Sequence, residues 1–218
     1  MSERPVEKVG VLVVTSDRGL CGGFNTNICR KTLQDVQGLS EVEIGLVTVG
    51  RKGRNFFRSR GFDIRKEYDA AFQSMDFGSA ATIAEDLTRQ FLTGDLDQVL
   101  IAYSEFISVA RQQPSVEQLL PILPKELDDS EQSGEYIFEP SPESLLDTLV
   151  PRHVNFQVWR ALLESNAGEQ AARMTAMDNA TKNAGDLIEE LTREMNKERQ
   201  SSITLELMDI IGGAEAVA

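Results

Sequence analysis

The chain has 218 residues and a formal net charge of −13, which suits one α/β domain plus an extended element and argues against a nucleic-acid binder. Its two cysteines, Cys21 and Cys29, are too few for a disulfide scaffold and are expected to be reduced thiols in a cytosolic compartment. The charged N-terminus has no signal-peptide pattern, and the longest apolar run, Val9 to Val14, is too short to cross a bilayer, so any membrane association is expected to go through another protein.

Val9–Thr15 (VGVLVVT) is a nearly unbroken apolar run, the pattern of a strand buried on both faces. A glycine-rich turn from Ser16 to Asn25 follows, then a helix from about Thr26 to Gln37 with Asn25 as the expected N-cap. Glu43–Val49 is a second buried strand, closed by Gly50. Arg51–Arg60 reads as a helix ended by Gly61. From Arg51 to Lys66, seven basic residues face one acid, Asp63, the signature of a helix with a basic outer surface. Phe62–Tyr68 alternates like a strand with one exposed side, and Ser79–Leu92 is an amphipathic helix ended by Gly94. Gln98–Tyr103 is a third buried strand. Phe106–Arg111 and Val116–Leu123 read as extended or edge segments broken by Pro114, Pro121 and Pro124. An acidic stretch, Glu126 to Asp147, has eight Asp or Glu and no Lys or Arg, as a solvated loop does, and leads through Tyr136–Phe138. Pro142 opens a helix through Ser144–Leu149, and Pro151 is placed near the first turn of what comes next. Strands alternating with helices predict a mainly parallel, Rossmann-like sheet flanked by helices.

From Pro151 to Ile211 there is no second proline and no turn cluster, so this region reads as one helix on the order of 90 Å long. Met174, Met177, Thr181, Ala184, Ile188, Leu191 and Met195 follow the alternating three-and-four spacing of a coiled-coil seam. Glu189 and Arg193 form a favourable pair on the outer face. Burying such a seam yields on the order of 10 kcal/mol, so a partner helix from outside the rest of the chain is expected. After Met195 the apolar positions Ile203, Leu207, Ile210 and Ile211 continue at a shifted register. The expected division is an α/β foot domain over residues 1–140 and a long helix, half of an antiparallel coiled coil, over 141–218.

Enzyme chemistry is poorly supported. Gly19, Gly22 and Gly23 spell neither a dinucleotide fingerprint nor a P-loop, and Gly50, Arg51 and Lys52 stand where the second strand of a dinucleotide fold would end in an acid. No cofactor and no metal site is expected. His153 is the only histidine, so a His-rich metal site or a catalytic triad lacks its parts. Cys21 lies near Arg18 without a base placed by the sequence. The residues favour an interaction or mechanical protein. A nucleotide-binding enzyme using the Gly19–Gly23 turn and a coiled-coil adaptor are the competing readings.

Four strings go further. Ser16–Asn25 (SDRGLCGGFN), Tyr136–Thr148 (YIFEPSPESLLDT), Glu169–Asn183 (EQAARMTAMDNATKN) and Asn196–Ala214 (NKERQSSITLELMDIIGGA) closely resemble the gamma subunits of F-type ATP synthases, over about Val6 to Val217. The resemblance implies a rotor, or central stalk, that couples proton flow to ATP synthesis on alpha and beta subunits and has no active site of its own. It supplies the partner for the seam, the family's own N-terminal helix. Met1 falls about where that family's α/β domain begins, so the chain is expected to be an incomplete sequence lacking that helix. By resemblance, Arg199, Gln200 and Thr204 meet the beta subunit, and Ile210 to Ala216 form the far tip. Arg18, Gly22, Tyr136 and Glu139 belong to the foot, which meets the epsilon subunit and the ring of c subunits. The implied location is peripheral, on the cytoplasmic face of the bacterial inner membrane. No cysteine pair lies between Tyr103 and Tyr136, so thiol control of the plant type is not expected.

Overall fold

A computed structural model describes residues 5–39, 42–69, 72, 75–123 and 141–216. The expected Tyr136–Phe138 segment lies outside them. Among the described residues the elements in chain order are β1 (Lys8–Val14), α1 (Phe24–Gln37), β2 (Glu43–Val49), α2 (Arg51–Arg58), β3 (Ile64–Tyr68), α3 (Phe77–Thr93), β4 (Gln98–Ser108), β5 (Arg111–Leu120) and α4 (Pro142–Glu215). The strands form one sheet in the order β3-β2-β1-β4-β5. β1 pairs in parallel with β2 and β4, β2 with β3 likewise, and β4 and β5 are antiparallel. This is the mainly parallel sheet with flanking helices that the sequence predicts.

β1 shows why its apolar run is unbroken. Val9, Val11 and Val13 pack on one face with Phe24 and Ile28 of α1 and Phe57 of α2. Leu12 and Val14 pack on the other with Ile83 and Leu87 of α3 and with Val158 and Leu162 of α4. A strand covered on both sides has no solvent face to spend on polar residues. The helix ends also follow sequence chemistry. The Asp76 carboxylate accepts a hydrogen bond from the Ser79 amide at 2.6 Å at the start of α3, and this bond holds its pKa below the usual carboxylate value. Gly94 closes the same helix at φ 82°, a left-handed conformation that glycine adopts without strain.

Three expectations are corrected. Asn25 is not the N-cap of α1, which starts at Phe24 after Gly23. Its side-chain oxygen instead accepts from the Ser16 amide at 2.9 Å, so the residue ties the turn together rather than capping the helix. The segments around Phe106–Arg111 and Val116–Leu123 are not separate pieces. β4 runs on to Ser108 and returns directly as β5. Pro114 is tolerated inside β5 because that strand is an edge, where a missing amide costs no ladder bond. Pro151 is not in a first turn: α4 begins at Pro142 and carries Pro151 inside. Asp147, whose carbonyl loses its helical donor to Pro151, is exposed, as is Pro151 itself, so water can reach the orphaned oxygen.

The fold divides into two compact units, Met1–Thr175 and Ala176–Ala218. In the first, Val154, Val158, Ala161, Leu162, Ser165 and Glu169 form a buried face of α4. In the second, every residue from Met177 to Ala214 is exposed. Among the described residues, no helix is long and apolar enough to cross a membrane.

Candidate functional site

The turn from Ser16 to Asn25 is organised by its own side chains. The Ser16 hydroxyl donates to the Arg18 carbonyl at 2.7 Å, and the Asn25 amide donates to the Cys21 sulfur at 3.2 Å. Cys21 is buried. Leu20 at φ 63° and Gly22 at φ 54° both adopt left-handed backbone, and Leu20 projects into solvent, 74% exposed. Arg18 and Gly22 are exposed with it.

The start of α2 closes over the same turn. Its amides at Arg51, Lys52 and Gly53 donate to the Asp17 carboxylate (3.1 Å), the Ser16 carbonyl (3.1 Å) and the Thr15 hydroxyl (2.8 Å). The positive end of that helix is thus spent on the chain's own oxygens. Gly50 is required here: at φ 85°, a β-carbon would come within 2.2 Å of the Thr15 carbonyl oxygen. The basic outer face expected of Arg51–Lys66 is largely paired. Arg54 binds Glu67 (3.1 Å) and Asp69 (2.8 Å), Arg58 binds Glu67, and Lys66 binds Asp86. Hydrogen bonds from Lys66, then Tyr68, pull the Asp86 carboxyl below its ordinary pKa. Burial pushes the Cys29 thiol up to about 12, which leaves it protonated and unreactive at neutral pH.

α4 meets the end of the sheet through polar groups that the sequence does not announce. The Ser104 amide donates to the Ser165 hydroxyl at 3.1 Å, and the Phe106 amide to Glu164 at 3.4 Å. Arg160 donates to Glu117 at 2.7 Å and to the Tyr103 hydroxyl at 3.1 Å. Arg173 donates to the Gly19 carbonyl at 2.7 Å and pairs with buried Glu169. Two strings that resembled one family are thereby joined: the turn after β1 and the start of Glu169–Asn183. The Glu169–Arg173 spacing of one helical turn was the only available hint. Beside Arg160, a cavity of about 330 Å³ is lined by Tyr103, Glu117, His153 and Gln157 among others, which places His153 at its wall. Among the described residues, no His, Cys, Asp and Glu cluster is able to hold a metal.

The seam residues Met174, Met177, Ala184, Ile188, Leu191 and Met195 all lie on α4 and are exposed, Ile188 by 65% and Met195 by 61%. Arg193 pairs with Glu189 at 2.5 Å, as their spacing predicts. Arg199, Gln200 and Thr204 are exposed on the same helix, and the Thr204 hydroxyl donates to the Gln200 carbonyl at 2.8 Å. Tyr136 and Glu139 lie outside the described residues.

A parallel-sheet domain continued by a 74-residue helix, half of it exposed along an apolar seam, has the architecture of a stalk-type subunit. A family profile described as ATP synthase matches residues 1–217. The ATP synthase gamma chain of Chlorobaculum parvum is 48% identical over 217 residues, covering 97% of this chain and 74% of that one. The gamma chain of Pelotomaculum thermopropionicum is 45% identical, covering 100% of this chain and 76% of its own length. In the Tetrahymena thermophila mitochondrial ATP synthase central stalk and c-ring structure, one chain superposes with a TM-score of 0.64 at 28% identity, covering 83% of this chain and 79% of that one. A chain of the Euglena gracilis mitochondrial ATP synthase (OSCP, F1 and c-ring) has the same fold, with a TM-score of 0.72 at 22% identity over 97% of this chain and 73% of that one. The chain belongs to the ATP synthase gamma chain family.

Proposed function

We propose that this chain transmits torque: as the central stalk, it couples proton flow through the membrane sector to ATP synthesis on alpha and beta subunits, and donates no catalytic group of its own. The observation that carries this reading is the exposed apolar seam from Met174 to Met195 on a helix continuous with the sheet domain. An asymmetric rod inside a ring of similar subunits touches each differently. Such differential contacts bias the sites of the ring toward distinct conformations, which is how a shaft without chemistry can drive chemistry elsewhere.

On this reading, residues 1–140 form the foot and 141–218 one half of an antiparallel coiled coil with the family's N-terminal helix. Arg199, Gln200 and Thr204 meet the beta subunit. Arg18 and Gly22, with Tyr136 and Glu139, face the epsilon subunit and the c-ring. The chain is then peripheral on the cytoplasmic face of the bacterial inner membrane, held there by the complex.

The reading is tested by joining the chain to the N-terminal helix of a relative and expressing it in a strain that lacks its own gamma chain. Co-purification with alpha and beta subunits and restored ATP-driven proton pumping are expected. A chain that neither assembles nor restores pumping defeats the proposal. Within the restored complex, Arg199→Ala or Gln200→Ala is expected to lower coupled ATPase several-fold while the sheet domain stays folded by circular dichroism. Unchanged rates in both variants remove the beta-subunit assignment.

A further inference from the structure

We propose that Ser165, Gly168, Glu169 and Arg173 form a torsional joint, the place where twist carried by α4 is handed to the sheet. The proposal rests on the rotor reading and adds to it the residues through which the load enters the foot.

The first pin is at the end of β4. β1 pairs with β4 only as far as Val13 opposite Ala102, whereas β4 continues to Ser108. Beyond that point β4 has lost its parallel neighbour. On its other side Ser104 faces Pro114 of β5. The Ser104 and Phe106 amides share one edge of the strand, and α4 supplies their acceptors, the Ser165 hydroxyl at 3.1 Å and the Glu164 carboxylate at 3.4 Å. Side chains of a helix thus take the place of a missing strand. Ser165 has no exposed surface, so water does not compete for this bond.

One turn further on, Gly168 brings the helix backbone close to the sheet. A β-carbon there would touch Phe24, Ser104 and Gln112 at 3.4 to 3.5 Å, which leaves room for a methyl group and nothing longer. The second pin follows. Arg173 holds the Gly19 carbonyl at 2.7 Å and is itself held by Glu169, whose carboxylate is buried, 4% exposed as a residue. A guanidinium bound on two sides is a rigid, planar bracket.

These pins differ in kind from the apolar face at Val154, Val158 and Leu162. Apolar burial holds the helix down but has no preferred direction, so it resists separation better than rolling. Hydrogen bonds are directional and weaken steeply when bent. One pin engages β4 and the other the β1–α1 turn, two different parts of the sheet domain. A helix tied at two such points cannot turn about its own axis without breaking one of them.

The test uses the assembled synthase in inverted membrane vesicles and as single molecules. ATP hydrolysis, ATP-driven proton pumping against an opposing gradient, and the angular spread of a probe on the foot with the alpha–beta ring immobilised are read together. For the pair Ser165→Ala with Arg173→Ala, hydrolysis is expected to persist while the angular spread widens and pumping against the gradient falls about fivefold, a typical coupling effect. Arg173→Lys, which keeps a donor for the Gly19 carbonyl, is expected to recover part of the loss. A paired variant that is folded, assembled and unchanged in angular spread overturns the joint. Should the pair fail to assemble, Ser165→Ala alone decides: a smaller widening supports the joint and none overturns it. If complexes with the unaltered chain do not pump, the rotor reading fails; if they pump and the variants match them, only the joint fails.

Discussion

Helix α4 lives in two environments. From Val154 to Arg173 it presents a buried face with hydrogen-bonded pins, while from Met177 to Ala214 every residue is exposed. Apolar residues occur in both stretches: Leu162 is fully buried, and Leu191, on the same helix, is 53% exposed. The difference teaches that an apolar stripe has an energetic meaning only once something covers it. In the first stretch the sheet and α3 do so; the second stretch is an expectation about a partner.

The largest effect should expose this contrast directly. Leu162→Ala leaves a cavity in a packed core and is expected to cost about 2–5 kcal/mol in a urea unfolding series. Leu191→Ala in the isolated chain should fall within about 0.5 kcal/mol of the parent, as surface changes do. Equal costs would mean that Leu191 is covered within the chain itself. A charge in the seam sharpens the comparison: Ile188→Asp should leave the unfolding midpoint of the isolated chain unchanged and abolish co-purification with a supplied N-terminal helix. Retained co-purification would place the pairing surface elsewhere on the helix.

Acid should act on the first unit through Asp86. Its folded pKa is depressed, chiefly by Lys66 and then Tyr68, so it favours the folded state above the ordinary carboxylate pKa, and this contribution is lost as pH falls through the depressed value. Asp86→Asn is therefore expected to lower stability at neutral and alkaline pH, where this contribution is fully present, and so to flatten the acid limb of the stability–pH curve. An identical acid limb in the variant would show that the ion pair carries no stability. The smallest effect belongs to the exposed Glu189–Arg193 pair: Glu189→Ala should lower helicity by an amount worth about 0.2–0.5 kcal/mol, and high salt should erase the difference. A larger, salt-insensitive loss would mean that Glu189 is buried against a partner.

Much of the fold was legible in local pattern. β1 and β2 were readable because strands covered on both faces must be apolar throughout, and α3 because Gly94 marks its end. The β4–β5 hairpin was legible only as extended or edge segments, because Pro114 inside a half-exposed edge strand reads as a break. Asn25 was misread for a related reason. A residue suited to capping a helix is equally suited to tying a turn, and only the position of Ser16 decides between them. The candidate site divides in the same way. The seam is periodic and could be read along the chain, whereas Arg199 and Gln200 are singled out only by resemblance to the family. The joint could not, because Ser165 finds its donor at Ser104, 61 residues away, and Arg173 finds Gly19 at a separation of 154.

The amino-acid sequence by itself determined the alternation of strands and helices and the apolar stripe along the final helix, since each follows from periodicity and from the few residues that begin or end an element. Only the tertiary structure decided where that helix is anchored and which of its apolar positions are already satisfied. Periodicity specifies which side of an element is apolar, whereas burial and hydrogen bonding depend on groups distant in the chain that become neighbours only when the sheet has formed.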